Sequence, residues 1–193
     1  MTRSAASREP LSPFTIVMDM DLGTLTPEGE VVERRISDMR GIFLANPDAD
    51  EDAVVYRVYG IPAPETASHL QCSTTVLLPG TVGREYFMTK GHFHEIRDRA
   101  EIYIGLGGDG RLVMATDDGR HAVEPIRRGP VSYVPGGWAH RSVNVGDQPL
   151  VFFAAYVGDA GHDYRTIEER GFPVVVVTGE DGPRVVKNPR YRS

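Results

Sequence analysis

The sequence predicts an all-β protein, a sandwich or barrel of many short strands, and three observations carry that prediction. Strand-like runs recur at short intervals, the segments between them are rich in Gly and Pro, and only two brief stretches carry helix signals. In order, the runs are Phe14–Met18, Val54–Tyr59, Ser73–Leu78, Glu85–Thr89, Glu101–Ile104, Arg111–Ala115, Val131–Val134, Arg141–Val143, Leu150–Tyr156 and Val174–Val177. β-branched and aromatic residues recur in them, types that pack well on a pleated surface. Turns at Leu78-Pro79-Gly80, Gly107-Gly108-Asp109-Gly110, Asp117-Asp118-Gly119 and Gly179-Glu180-Asp181-Gly182 supply the positive-φ positions of tight hairpins. The glycine-rich run Gly105–Gly110 superficially suggests a dinucleotide loop. Strands flank it and no helix follows to face a pyrophosphate, so it reads as a hairpin turn. One helix is predicted from Ser37 as N-cap to about Phe43. A second starts at Thr166 as N-cap, with Glu168 and Glu169 in its first turn and Gly171 as its stop.

At 193 residues and 40% hydrophobic content the chain can bury a substantial core, and its length points to one domain, residues 13–193, behind a loose polar tail, residues 1–12. No run approaches the ~20 apolar residues that cross a bilayer, and Met1-Thr2-Arg3-Ser4-Ala5-Ala6-Ser7 lacks the apolar middle of a signal peptide, so a cytoplasmic address and no membrane partner are expected. The net charge of −6, with 21 Lys and Arg scattered along the chain, argues against a nucleic-acid partner. Arg34-Arg35 and Arg127-Arg128 read as solvated pairs at strand edges or turns. Asp48-Ala49-Asp50-Glu51-Asp52 reads as a solvated loop, lacking the glycine and terminal glutamate of a helix-loop-helix calcium site. The single cysteine, Cys72, excludes an internal disulfide and reads as a small buried filler.

Residues 92 to 140 hold the chemistry. In His92-Phe93-His94 the two imidazoles project from one face of an extended strand, and Glu101 comes opposite them if the chain turns back near Arg97-Asp98. His140 follows the turn Pro135-Gly136-Gly137, which lets another strand enter the same mouth and complete a set of three histidines and one carboxylate. Any one histidine alone is ordinarily structural; the spacing of the group is what suggests a metal.

The segment Gly129-(x)5-Pro135-x-Gly137-(x)2-His140-(x)3-Asn144 matches the second signature of the cupin superfamily, and His92-x-His94 through Glu101 to Gly108 resembles the first. Six residues separate His94 from Glu101, where the general pattern has three or four, and Gly83 stands further upstream than usual. With Thr75, Pro79-Gly80, Glu85-Tyr86-Phe87, Thr89-Lys90-Gly91, Asp98-Arg99-Ala100, Tyr133-Val134-Pro135, Trp138-Ala139-His140-Arg141, Asp159–Tyr164 and Pro189-Arg190-Tyr191, the chain resembles the cupin-type phosphoglucose isomerases over nearly all of its length after the tail.

The resemblance implies a double-stranded β-helix, the cupin jelly-roll barrel, and a homodimer that interconverts glucose 6-phosphate and fructose 6-phosphate. It implies a divalent metal, Fe2+ first among candidates that include Mn2+, Ni2+ and Zn2+, on His92, His94, Glu101 and His140. It places phosphate contacts on Thr75, Thr89, Gly91, Tyr156 and Tyr164, sugar contacts on Tyr103 and His162, and catalysis on Glu101, Tyr103 and His140.

Moving hydrogen between C1 and C2 needs either a base working through an enediol or a hydride shift between held carbons. Glu101 is the expected proton carrier on the first route and a ligand alone on the second. Lys90 or Arg99 is expected to raise the potential at the phosphate. Two other readings stay open on the residues: a cupin dioxygenase, and a metal- or sugar-binding cupin without turnover.

Overall fold

The computed structural model describes residues 11–27, 29–45 and 51–192. Fifteen strands make up a little under half of it: β1 Val17–Met18, β2 Leu25–Thr26, β3 Val31–Arg35, β4 Val54–Gly60, β5 Leu70–Leu77, β6 Thr81–Val82, β7 Glu85–Tyr86, β8 Glu101–Gly107, β9 Gly110–Thr116, β10 His121–Ile126, β11 Val131–Val134, β12 Trp138–Asn144, β13 Leu150–Val157, β14 Val174–Gly179 and β15 Gly182–Lys187. They form sheets in the orders β11-β8-β13-β5-β4-β3, β10-β9-β12 and β15-β14-β7-β6, with β1-β2 as a separate ribbon, and every ladder between named strands is antiparallel. Single bridges Met88–Val143 and His92–His140 run the segment after β7 along β12, joining the two smaller sheets on one side of the barrel.

Strand alternation shapes the interior. Gln71, Ser73, Thr75 and Leu77 of β5 form one inward stripe, and Tyr156, Ala154, Phe152 and Leu150 of the antiparallel β13 form the next. Both stripes change from polar to apolar along the strand. Leu77 and Leu150, directly paired and fully buried, lie at the closed end of the barrel, with Leu112 also sealed in the core. The polar ends of the stripes face an open cavity. Apolar burial thus holds one half of the barrel together at roughly 25 cal/mol per Å², leaving the other half free for a site.

Several sequence expectations are corrected. Of Phe14–Met18 only Val17–Met18 pairs, against β2, and Phe14 stays 46% exposed. The Glu85–Thr89 run is regular only over Glu85–Tyr86. Five strands were absent from the sequence reading, β2, β3, β6, β10 and β15, and all five are sheet edges. The glycine run Gly107–Gly110 is a corner: β8 pairs with β11 and β13, whereas β9 pairs with β10 and β12. A Cβ on Gly108 would lie 2.6 Å from the Pro149 carbonyl oxygen, and one on Gly110 would lie 2.3 Å from Leu150 Cδ2, so the chain can change sheets there only with glycine. Leu78-Pro79-Gly80 likewise links strands of different sheets, while Asp117–Gly119 and Gly179–Gly182 do close hairpins.

The first predicted helix is a single 3-10 turn, Ile36–Met39, whose entry is held by the Arg35 N–H donating to the Asp38 carboxylate at 2.8 Å. Burial of Ile36 and Met39 anchors it. The second is α1, Tyr164–Arg170. Its N-cap is Asp163, whose carboxylate accepts from the Thr166 backbone and hydroxyl; Gly171 stops it with φ 72°. Residues 1–10 of the expected tail, and Asp48, Ala49 and Asp50 of the acidic run, lie outside the described residues. Among the described residues no helix is long and apolar enough to cross a membrane.

Candidate active site

The two-residue period in Gly91–His94 brings two imidazoles to one face. The His92 N–H donates to the His140 carbonyl at 3.2 Å and the His140 N–H returns to His92 at 3.0 Å, so the segment lies antiparallel to β12. Phe93, between them, points away and is buried in the core. The chain then reverses at Ile96–Arg99, where the Arg99 N–H donates to the Ile96 carbonyl at 3.1 Å, and β8 re-enters with Glu101 first. Arg99 clamps Asp159 at 2.8 and 2.9 Å and Arg97 pairs with Asp163 at 2.9 Å, pinning this loop to the segment before α1. Arg99 is therefore spent on carboxylates and absent from the cavity wall, contrary to the sequence expectation; Lys90 pairs with Glu168 at 3.4 Å.

One ligand atom from each of His92, His94, Glu101 and His140 falls within 4.8 Å of the others. Second contacts decide what the rings present. His94 Nδ1 lies 2.9 Å from the Arg99 carbonyl and His140 Nδ1 3.4 Å from the Trp138 carbonyl, and donation there leaves each Nε2 as a lone pair. The Arg99 carbonyl belongs to the long loop between His94 and Glu101, so the extra residues orient a ligand. Both Nε2 atoms face Glu101 Oε2, at 3.1 and 2.9 Å. The His140 contact is close but not aligned as a hydrogen bond, and the Nε2 atoms of His92 and His140 are buried without a partner.

Lone pairs converging on a carboxylate in a buried space repel one another unless a metal ion, or in its absence a proton on the rings, sits among them. The donor set fits a divalent ion. Burial alone would push the Glu101 carboxyl up, but the His140 and His94 rings outweigh it and pull it down to about 2. Burial, then the neighbouring histidines, drives His92 well below the usual imidazole value and keeps it a neutral ligand.

These ligands edge a cavity of about 480 Å³, within the roughly 300–1,000 Å³ of small-molecule sites. Thr75, Thr89, Gly91, Tyr103, Tyr156, His162 and Tyr164 line it, so the structure brings the sequence-predicted site residues to one place, His94 standing just behind the wall. The His162 ring meets His92 edge-on at 4.5 Å and lies parallel to Tyr164, 9° between planes. Thr89 Oγ1 accepts from the Ser142 N–H at 3.0 Å and keeps its own proton to donate. Burial, then proximity to Glu101, raises Tyr103 and Tyr156; burial raises Tyr164 and takes Tyr56 to about 12. All four present neutral hydroxyls at ordinary pH.

Sequence reasoning missed part of the wall. Arg34, read as solvated, lines the cavity and bears electrostatically on Tyr164 and Tyr56. Gln71, Ser73 and Ser142 also line it. Alternation from Thr75 identifies Gln71 and Ser73, and alternation from His140 identifies Ser142.

Residues 33–192 match the family described as glucose-6-phosphate isomerase. The chain belongs to that family. It is 44% identical over 186 residues to the glucose-6-phosphate isomerase of Pyrococcus abyssi, covering 94% of this chain and 98% of that one. It is 46% identical over 184 residues to the glucose-6-phosphate isomerase of Thermococcus kodakarensis, covering 93% and 97%. A solved structure of Bacillus subtilis oxalate decarboxylase overlays 63% of this chain and 29% of its own, at 24% identity and a TM-score of 0.45. The family match covers the segments that bear all four candidate ligands and the cavity wall from Arg34 to Tyr164.

Proposed function

We propose that this chain is a metal-dependent aldose–ketose isomerase interconverting glucose 6-phosphate and fructose 6-phosphate, working as a cytoplasmic homodimer with Fe2+ as the preferred ion. The observation that carries this reading is the convergence of three imidazoles and one carboxylate at the wall of a cavity that also presents several neutral hydroxyls. In a chain of this family, that combination suits a sugar held at its reacting carbons and at its phosphate. His92, His94, Glu101 and His140 would hold the ion, which when bound supplies Lewis-acid stabilisation of negative charge developing on the sugar oxygens.

The remaining roles belong to the protein. Thr75, Thr89, Tyr156, Tyr164 and the Gly91 N–H donate to the phosphate, and Arg34 supplies positive potential at that end. Binding there positions C1 and C2 beside Glu101. Glu101 takes the C2 proton of the aldose and returns it to C1, the hydroxyl proton passes from O2 to O1, and no electron leaves the substrate. The nearby Tyr103 stays protonated and hydrogen-bonds the Glu101 carboxylate, holding it in place. His162, against His92 and Tyr164, orients the sugar chain.

A coupled assay on metal-reconstituted protein with fructose 6-phosphate tests the proposal. Turnover should vanish with chelator and return with Fe2+, Mn2+ or Ni2+, because the reaction has no redox requirement. Oxygen uptake without isomerisation would refute it.

A further inference from the structure

Arg141 follows His140 on β12 yet points out of the cavity, to the far side of its wall. It is a charged side chain only 5% exposed, and among the described residues no carboxylate lies within ion-pair distance of it, the buried Glu85 acting on it only from further off. Its donors go to one acceptor: Nε and Nη2 both reach the Lys90 carbonyl, at 3.1 and 2.5 Å. The guanidinium lies over the Phe172 ring, 4.7 Å from its centroid, and Phe172 is fully buried. A buried cation placed on a neutral carbonyl is costly unless that carbonyl has a task.

The Lys90 carbonyl belongs to the peptide whose N–H is that of Gly91. The bond is trans and planar, so the carbonyl and N–H point in opposite directions. Two donors on the carbonyl, one side of the wall, turn the Gly91 N–H to the other side, where Gly91 lines the cavity. A charged donor on the oxygen also polarises the peptide and strengthens its N–H as a donor. Among the described residues no acceptor takes the Gly91 N–H.

Neighbouring groups leave this peptide little freedom. The Lys90 N–H faces the Tyr56 hydroxyl, Thr89 is paired with Ser142, and His92 is paired with His140. Gly91 has φ 75°, and a Cβ there would lie 2.7 Å from Phe172 Cε2 and 3.0 Å from Arg141 Cβ, so the peptide sits against the Arg141–Phe172 stack.

We propose that Arg141 is a positioning residue that locks the Lys90–Gly91 peptide with its N–H aimed at the substrate phosphate. This rests on the isomerase reading above, and it assigns a binding function to a side chain that never touches the substrate. A side chain acting only as structural filler would be replaceable by an apolar one; a peptide lock requires the donors.

The test compares wild type with Arg141→Met, which keeps length and apolar bulk, and Arg141→Lys, which keeps the charge with one donor to the carbonyl. All are full-length and metal-loaded, with metal content and melting temperature measured alongside. Arg141→Met should raise KM for fructose 6-phosphate about tenfold, and raise the inhibition constant of inorganic phosphate by the same factor, with kcat changed less than about threefold. Arg141→Lys should recover part of both losses. Phe172→Leu, which spares the two hydrogen bonds, should leave KM within about twofold of wild type.

Wild-type KM and phosphate inhibition in folded Arg141→Met would overturn the proposal, as would a loss confined to kcat. If Arg141→Met fails to fold, Arg141→Lys decides: a phosphate inhibition constant equal to wild type overturns it. Wild-type protein that neither binds nor turns over fructose 6-phosphate would instead refute the isomerase reading.

Discussion

Glu101→Gln removes one charge from the ligand cluster while keeping its shape, and the structure sets the size of the effect in metal-free protein. Glu101 is 5% exposed, with His140 Nε2 at 2.9 Å and His94 Nε2 at 3.1 Å. Those rings hold its carboxyl at about 2 against a usual 4.5. At about 1.4 kcal/mol for each pH unit, that gap is worth about 3.5 kcal/mol of folding stability. The carboxyl titrates near 4.5 unfolded and near 2 folded, so this stability is in place above pH 4.5 and is lost as pH falls toward 2. At pH 6, metal-free Glu101→Gln should melt roughly 7–14 °C below metal-free wild type, at about 2–4 °C for each kcal/mol in a chain of this size. The difference should shrink as pH is lowered through 4.5. Scanning calorimetry at pH 6 and pH 3.5, with elemental analysis after metal reconstitution, reads both quantities. Equal melting temperatures at pH 6, with full metal in the variant, would falsify the placement of this charge among the imidazoles.

Other expectations are simpler. Tyr156→Phe, assigned to the phosphate end, should raise KM about fivefold with little change in kcat in the coupled assay, since one hydrogen bond is worth about 1 kcal/mol. His92→Ala and His140→Ala should each lower metal occupancy in elemental analysis, because each deletes a buried imidazole whose Nε2 has no other partner; full occupancy in both would contradict the ligand set. Phe172→Ala opens a void behind Gly91 and should lower the melting temperature by about 10 °C, from a loss of roughly 3–5 kcal/mol.

The parts of the fold that were legible in the sequence are those buried on both faces or alternating against the core. Val174, Val175, Val176 and Val177 are all buried, and the run reads as a strand because both faces are covered. β3, β10 and β15 escaped because an edge strand packs too little to impose an apolar period: β3 is charged at Glu33, Arg34 and Arg35, and β10 contains Pro125, tolerable on an edge. The Thr166 cap was displaced by three residues because Asp163, with its acceptor-only carboxylate, reaches both Thr166 donors. At the site, residues two apart were readable from strand geometry, as with His92 and His94. Arg34 was not: its place on the wall depends on β3 joining a sheet whose register only tertiary structure sets.

Four phenols surround the reacting space, and burial keeps each of them from ionising across the range in which cells live. Recognition built from such groups does not weaken or change character as the surroundings drift from mildly acidic to mildly alkaline. The sensitivity of turnover to pH then falls on the phosphoester itself and on whatever proton moves between carbons, a division that leaves the lining of the pocket as a constant background against which chemistry is timed.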